Sequence, residues 1–361
     1  MTGSTTGSTT GQVANVSGLG LIGGSVGRAL RARGWRVHGF DVDPVRIARA
    51  VEVGAVDASG LARDAAITFV AAPVLALPAA VREALDATTG LVTDVGSVKA
   101  SVAAAVPDPR YVPGHPMAGS ELVGLDGADA DMFTGAVWVL TPTAVTDDAA
   151  FSTVAAIVRS LGAEVVALPP DRHDALVAVV SHVPHLTAAT LMALADSRAD
   201  EHAALLRLAA GGFRDMTRIA SGHPAIWPDI CAANRDAIVP ALDSLIAGLA
   251  GVRDIVATGR GDSLLELLNR ARSARANLPA RVHRPAEMAE VRILIPDRPG
   301  AAAEVFTLAA ELGVNLFDFE VSHSAEGNKG VLIVLVAVGD RDLFRGGLLA
   351  RGFRPSVRVL D

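Results

Sequence analysis

The rhythm of apolar and polar positions changes twice along the chain. Up to about residue 170, short apolar runs alternate with stretches of helical period. Residues 12–17 form a β-type run before a helix that starts near Leu21, and 35–40, 66–72 and 90–93 read as further strands, closed by Asp41, Pro73 and Asp94. Strands over 137–140 and 163–168 then flank a helix over 147–161. From Pro170 to about Asn277 nearly everything has helical period. Beyond a linker with Pro279 and Pro285, the order is strand 290–295, helix 301–312, strands 316–321 and 329–338, helix 341–350 and strand 355–360. The first pattern predicts an α/β domain with a parallel sheet, the second an all-α domain, and the third, βαββαβ, a ferredoxin-like α+β unit. The expected layout is a leader at 1–11, then domains at 12–170, 171–278 and 289–361, with the linker at 279–288.

Composition narrows the partners. A chain of 361 residues is too long for one ordinary core, and with half its residues apolar but only 4% aromatic, its cores are built from Ala, Val and Leu. A net charge of −7 without a basic run excludes a nucleic-acid surface. The single cysteine, Cys231, has no internal disulfide partner, which fits a reducing cytoplasm. The opening MTGSTTGSTTG lacks both a charged and an apolar region, so it reads as a disordered leader and not a signal peptide. Residues 175–195 carry no Asp, Glu, Lys or Arg and have the length of a membrane span. Ser181, His182, Pro184 and His185 at their centre point to a core helix instead.

Chemistry enters at the glycines. Gly18, Gly20 and Gly23 form G-x-G-x-x-G between a strand and a helix, and Asp41 ends the next strand at the spacing of the ribose-binding acid in a Rossmann dinucleotide site. The free N–H groups at the helix start, around Leu21 and Ile22, would receive the diphosphate. The carboxylate of Asp41 favours NAD over NADP; Arg46 either assists a phosphate or opens a solvated helix face. Strand C-termini face the ligand crevice, so Ala72, Pro73 and Ser97 should border the cofactor, with Ser97 either an N-cap or an active-site hydroxyl. His115, in a flexible Gly-rich loop that continues through Ser120 and Glu121, is the candidate base. His182 and His185 share one face of a helix that Pro184 should kink, and which of them meets substrate is open. His173 and Asp174 are the only nearby candidates for completing a metal site, too few for the zinc patterns, so no metal is expected. Arg214 and Arg218, beside a glycine pair and followed by Trp227, suit a carboxylate. So large an apolar helical block suggests helices shared between subunits, hence a homodimer.

With these motifs placed, the chain resembles the prephenate dehydrogenase family, in the form that carries a C-terminal ACT domain. GLGLIGGSVG, DVGSVK, GHPMAGSE, SHVPH and GFRDMTRIA with Trp227 carry the resemblance, which extends from about Gln12 to Asp361. It implies NAD-dependent oxidative decarboxylation of prephenate to 4-hydroxyphenylpyruvate, on the route to tyrosine, with arogenate as the alternative substrate. It further implies His115 as the catalytic hydrogen-bond acceptor, Ser97 as its partner, and His185 and Arg218 as substrate ligands. A tyrosine effector is implied around Asp297, Arg298, Pro299, Gly300, Val314 and Asn315. A β-hydroxyacid dehydrogenase would need a catalytic lysine in the helical domain, and there is none between Ala100 and Asn328. A non-catalytic NAD and amino-acid sensor is the remaining alternative; it would bind without turnover.

Overall fold

A computed structural model describes residues 11–120, 122, 124–199, 208–277, 288–296, 298, 300–323 and 329–359. The chain divides into two compact units, residues 1–268 and 269–361. The first begins with β1 (Val13–Ser17), α1 (Leu21–Ala32), β2 (Arg36–Phe40), α2 (Pro44–Glu52), β3 (Ala58–Ser59), β4 (Ile67–Val70), α3 (Leu77–Ala87), β5 (Leu91–Asp94), α4 (Ala100–Ala105) and β6 (Tyr111–Val112). These strands form one parallel sheet in the order β3-β2-β1-β4-β5-β6, the doubly wound arrangement that places ligands at the strand C-termini. β4 is buried throughout, as strands covered on both faces are. A second sheet follows, in which β7 (Gly114–Pro116) runs antiparallel to β8 (Val137–Leu140) and β8 parallel to β9 (Glu164–Ala167), with α5 (Asp148–Ser160) between β8 and β9. Val16, Val37, Ile67 and Phe69 from the first sheet, Leu30 from α1, and Trp138 and Leu140 from β8 share one core. Burying a side chain of this size contributes roughly 1.5–3 kcal/mol.

Local chemistry sets the helix ends. Pro44 fixes the first turn of α2, and the Asp43 side chain accepts from Val45 N. Asp147 caps α5 in the same way, at Ala150 N.

The helical part of the first unit comprises α6 (Pro170–Val177), a π turn (Ala178–His182), α7 (Val183–Ala199), α8 (Gly211–Thr217), a 3₁₀ turn (Arg218–Ser221), α9 (Trp227–Ala233), α10 (Arg235–Ala257) and the first half of α11 (Gly261–Ala276), within which the unit boundary falls. The π turn is the physical form of the expected kink. Pro184 has no N–H to return to the carbonyl of Val180 and its ring crowds that oxygen, so the helix widens by one residue just before it. The run Pro170–Arg198 is apolar and long enough for a membrane span by length and composition, but His173, Asp174 and His182 are buried on its protein-facing side. Val179, Val180, Leu194, Val239, Ile246, Leu249, Val256, Leu265 and Leu268 are apolar and exposed on these helices.

The second unit contains β10 (Met288–Pro296), α12 (Ala301–Leu312), β11 (Asp318–His323), β12 (Lys329–Ala337), α13 (Arg341–Ala350) and β13 (Pro355–Val359). Its antiparallel sheet has the order β11-β12-β10-β13, which is the βαββαβ pattern expected of residues 289–361. Val291, Ile293, Leu332, Val334 and Val336 pack against Val305, Leu308, Phe344 and Leu348 of the two helices. β10 begins one residue inside the expected linker, the rest of which lies outside the described residues.

Candidate active site

The glycine-rich turn is shaped for an anion. Gly18 has φ +96°, and a Cβ there would collide with the Ala71 carbonyl; one at Gly23 would collide with the Gly18 carbonyl. Gly20 by contrast faces open space, where a diphosphate would lie against the start of α1. No acid stands in the first turn of α1 and no side chain caps it, so the N–H groups at Leu21 and Ile22 are left for a ligand. At the end of β2, Asp41 is nearly buried and its orientation is fixed, one oxygen accepting from Leu19 N at 2.8 Å and the other from Asp43 N at 2.9 Å. Arg46 lies 3.9 Å from Asp41 and 3.6 Å from Asp43, so its guanidinium is held by the acids of this turn. β4 ends at Val70, two residues short of the expected strand, and Ala72 and Pro73 lie just beyond its C-terminal end. These residues fit NAD.

His115 sits differently from the expectation. It lies on β7, not in a flexible loop, opposite Val139 of β8. Its neighbour Gly114 is clamped by a buried polar cluster centred on Asp94, the last residue of β5. The Asp94 carboxylate accepts from Tyr111 Oη at 2.7 Å, Gly96 N at 2.9 Å and Gly114 N at 3.1 Å, and pairs with Lys99. Lys99 Nζ in turn donates to the Gly114 carbonyl at 2.8 Å. Both charges of the pair have 0% exposure. Burial pushes the Lys99 ammonium below its ordinary value against the pull of Asp94, and burial next to Asp94 holds the Tyr111 phenol well above its own.

The His115 ring meets the helical part of the unit. Its Nδ1 lies 2.9 Å from Nε2 of His173, whose Nδ1 lies 2.8 Å from Oδ1 of Asp174. The same carboxylate accepts from Lys99 N and Ala100 N, both at 2.8 Å, and so caps α4 from another part of the chain. Burial, and then the proximity of His173, Lys99 and His182, keep the His115 imidazole well below its ordinary pKa. It is uncharged at neutral pH.

Two expectations narrow here. Ser97 does not cap α4, since Asp174 does, which leaves its hydroxyl the active-site alternative. His182 is a structural histidine: it is 1% exposed, its Nδ1 is 3.1 Å from Asn234 Nδ2, and burial lowers its pKa to about 4. His185 is the accessible one. Its ring stacks on Trp227, with centroids 3.7 Å apart and planes 13° from parallel, while His182 meets the other side of the cluster edge-on to Trp227 at 6.1 Å. The turn that begins at Arg218 packs on α7, and the His185 ring lies near Gly222 just after it. α9 docks Ile230 against Val74 and Val98 and so joins this cluster to the cofactor edge. Ser120 is exposed and accepts from Leu122 N; Glu121 lies outside the described residues.

Among the described residues no group of three or more His, Cys, Asp and Glu is placed to hold a metal ion. His173 and Asp174 are engaged with His115 and α4 instead. In the second unit Asp297 and Pro299 fall outside the described residues, Arg298 pairs with Glu304 at 2.6 Å, and Gly300 precedes α12 at φ +89°. Val314 belongs to the core there and Asn315 is exposed. Tyr111 and Asn234 were not singled out from the sequence, and Asp94 and Lys99 were read only as the ends of a segment bordering the cofactor. A buried-lysine position directly after DVGSV was the one available signal.

Comparison with known proteins agrees with this geometry. Residues 26–167 match the model of the prephenate dehydrogenase nucleotide-binding domain, and 169–270 that of the prephenate dehydrogenase dimerization domain. A prephenate dehydrogenase of Bacillus subtilis is 32% identical over 88% of this chain and 90% of its own length. A cyclohexadienyl dehydrogenase of Zymomonas mobilis is 34% identical over 73% of this chain and 94% of its own. The crystal structure of prephenate dehydrogenase from A. aeolicus with hydroxyphenyl propionate and NAD+ superposes with a TM-score of 0.70, at 27% identity, over 74% of this chain and 98% of that one. On the sequence match, the shared domains and the common fold, the chain belongs to the prephenate dehydrogenase family.

Proposed function

We propose that the protein is an NAD-dependent prephenate dehydrogenase, converting prephenate to 4-hydroxyphenylpyruvate and carbon dioxide. The observation that carries this reading is an uncharged imidazole, His115, fixed between a dinucleotide cradle and a helix bearing a second, accessible histidine. Gly18, Gly20, Leu21, Ile22, Gly23, Asp41, Ala72 and Pro73 would hold the cofactor. When bound, NAD supplies the hydride acceptor. His115 takes the proton of the ring hydroxyl as that carbon is oxidised, and loss of the carboxylate with aromatisation supplies the driving force. The protein's work is orientation. Arg218 anchors a substrate carboxylate, His185 bonds the substrate while Trp227 holds its ring in place, and the half-buried Ser97 hydroxyl serves the ligand. Ser120 and Glu121 are the further residues that the sequence assigns to the substrate.

The exposed apolar residues of α7, α10 and α11 support a homodimer formed through the helical part. The second unit serves as an ACT domain answering to tyrosine, and the enzyme works in the cytoplasm. A broader cyclohexadienyl activity is the second reading, favoured by the Zymomonas relative. The test is NADH absorbance with prephenate and arogenate side by side, with and without tyrosine. Turnover of prephenate supports the reading, comparable rates with both substrates support the broader one, and binding without turnover would leave a sensor.

A further inference from the structure

The chain Asp174, His173, His115 is a directional array, and its direction follows from which atoms can donate. At neutral pH a carboxylate only accepts. Asp174 already receives Lys99 N and Ala100 N, so its contact with His173 Nδ1 requires the proton to be on that nitrogen. A neutral His173 then has a bare Nε2, which can only accept. It lies 2.9 Å from His115 Nδ1, so His115 donates there. The lone pair of His115 is thereby left on Nε2, the nitrogen on the far side of its ring from His173. An isolated neutral histidine prefers the opposite tautomer, with the proton on Nε2, and that form could not act as a base through this nitrogen.

We propose that His173 and Asp174 are positioning residues that fix His115 in the tautomer with Nδ1 protonated and Nε2 unprotonated. The proposal rests on the reading of His115 as the base, and gives that base its orientation through the helical part of the molecule. Asn234 supports the array from behind, donating from Nδ2 to the Asp174 carbonyl at 2.9 Å and contacting His182 at 3.1 Å. The polarity depends on His173 staying neutral. An imidazolium at 173 would donate from Nε2, reverse the hydrogen bond and place the His115 proton on Nε2. The charged or titratable groups around this pair are Lys99, paired with Asp94, together with Asp174 and His182.

The test is ¹⁵N NMR of the full-length protein labelled at its nine histidines, at pH 7.5 without substrate, with His115→Asn used to assign the His115 signals. Wild type should show His115 with Nδ1 protonated and Nε2 bare. In His173→Leu the His115 signals should move toward the Nε2-protonated form. In that variant kcat should fall by about 10²-fold, the lower end of the general-base range, with KM for NAD unchanged. In His173→Gln the side-chain amide can donate to Asp174 and its carbonyl can accept from His115, so tautomer and turnover should be retained. A wild-type His115 protonated on Nε2 overturns the proposal whatever the reaction proves to be. A correct tautomer with wild-type kcat in His173→Leu also overturns it, while leaving His115 as the base. Full turnover in His115→Asn would instead overturn the reading of His115 itself.

Discussion

Replacing Lys99 by methionine tests how the His115 strand is held. The substitution keeps the side-chain length and removes the ammonium, leaving Asp94 fully buried with only the Tyr111 hydroxyl and the amides of Gly96 and Gly114. Breaking a buried ion pair from one side costs about 3–5 kcal/mol, because the remaining charge keeps its desolvation penalty. Against a total stability of about 5–15 kcal/mol, that is a large loss. The Gly114 carbonyl also loses its donor, one residue before His115. A second effect is electrostatic: Lys99 helps to keep the His115 pKa low, so its removal lets that pKa rise toward the ordinary value. The base is active when neutral, so the acid limb of kcat/KM should shift to higher pH and activity near pH 6 should fall more than activity near pH 8. Urea titration gives the first quantity, a pH–rate profile the second. The double variant Lys99→Met, Asp94→Asn removes both charges and should recover much of the lost stability. A single-variant loss below about 1 kcal/mol, of the size expected for an exposed pair, would refute the argument.

Other expectations follow from the same geometry. Asp41→Asn should weaken NAD binding by about 1.5–3 kcal/mol, the worth of a hydrogen bond to a charged group, and narrow the preference over NADP, as read by KM for each cofactor. Gly114→Ala would drive a methyl toward the Asp94 carbonyl and Trp138 Nε1, each 2.9 Å from the Cβ position, and should cost about 1–3 kcal/mol in denaturant titration. His182 has a folded pKa of about 4, below its unfolded value, so the folded state binds fewer protons between those limits. Stability should therefore decline as pH falls from about 6.5 toward 4, and His182→Gln should flatten that decline in urea titrations at pH 7 and 5. Arg218→Ala should raise KM for prephenate with little change in NAD affinity, whereas an unchanged KM would remove Arg218 from substrate binding.

Much of the architecture is legible in the sequence because periodicity and turn chemistry agree. β8 and α12 and α13 coincide with their predicted ranges, since each is a clean apolar run or helical stripe bounded by turn residues. β3, β6 and β7 escape notice because two or three residues are too few to show a period. That omission had a chemical consequence. GHPMAGSE reads locally as a flexible loop, and only the long-range pairing of Gly114 with Leu140 and the buried Asp94 cluster make His115 part of a sheet. The glycine fingerprint and Asp41 were readable because their spacing is fixed within one βαβ unit. The cap on α4 was not, because Asp174 arrives from 74 positions away at Ala100. The same holds for His173, which sequence proximity linked to His182 and His185 as a possible metal ligand, and which folding directs to His115.

The most direct measurement is the turnover of His115→Asn with prephenate, followed by NADH absorbance beside a titration of NAD binding. A neutral imidazole acting as base predicts a fall in kcat of about 10²–10⁴-fold with NAD affinity nearly unchanged. Wild-type turnover in this variant would contradict it.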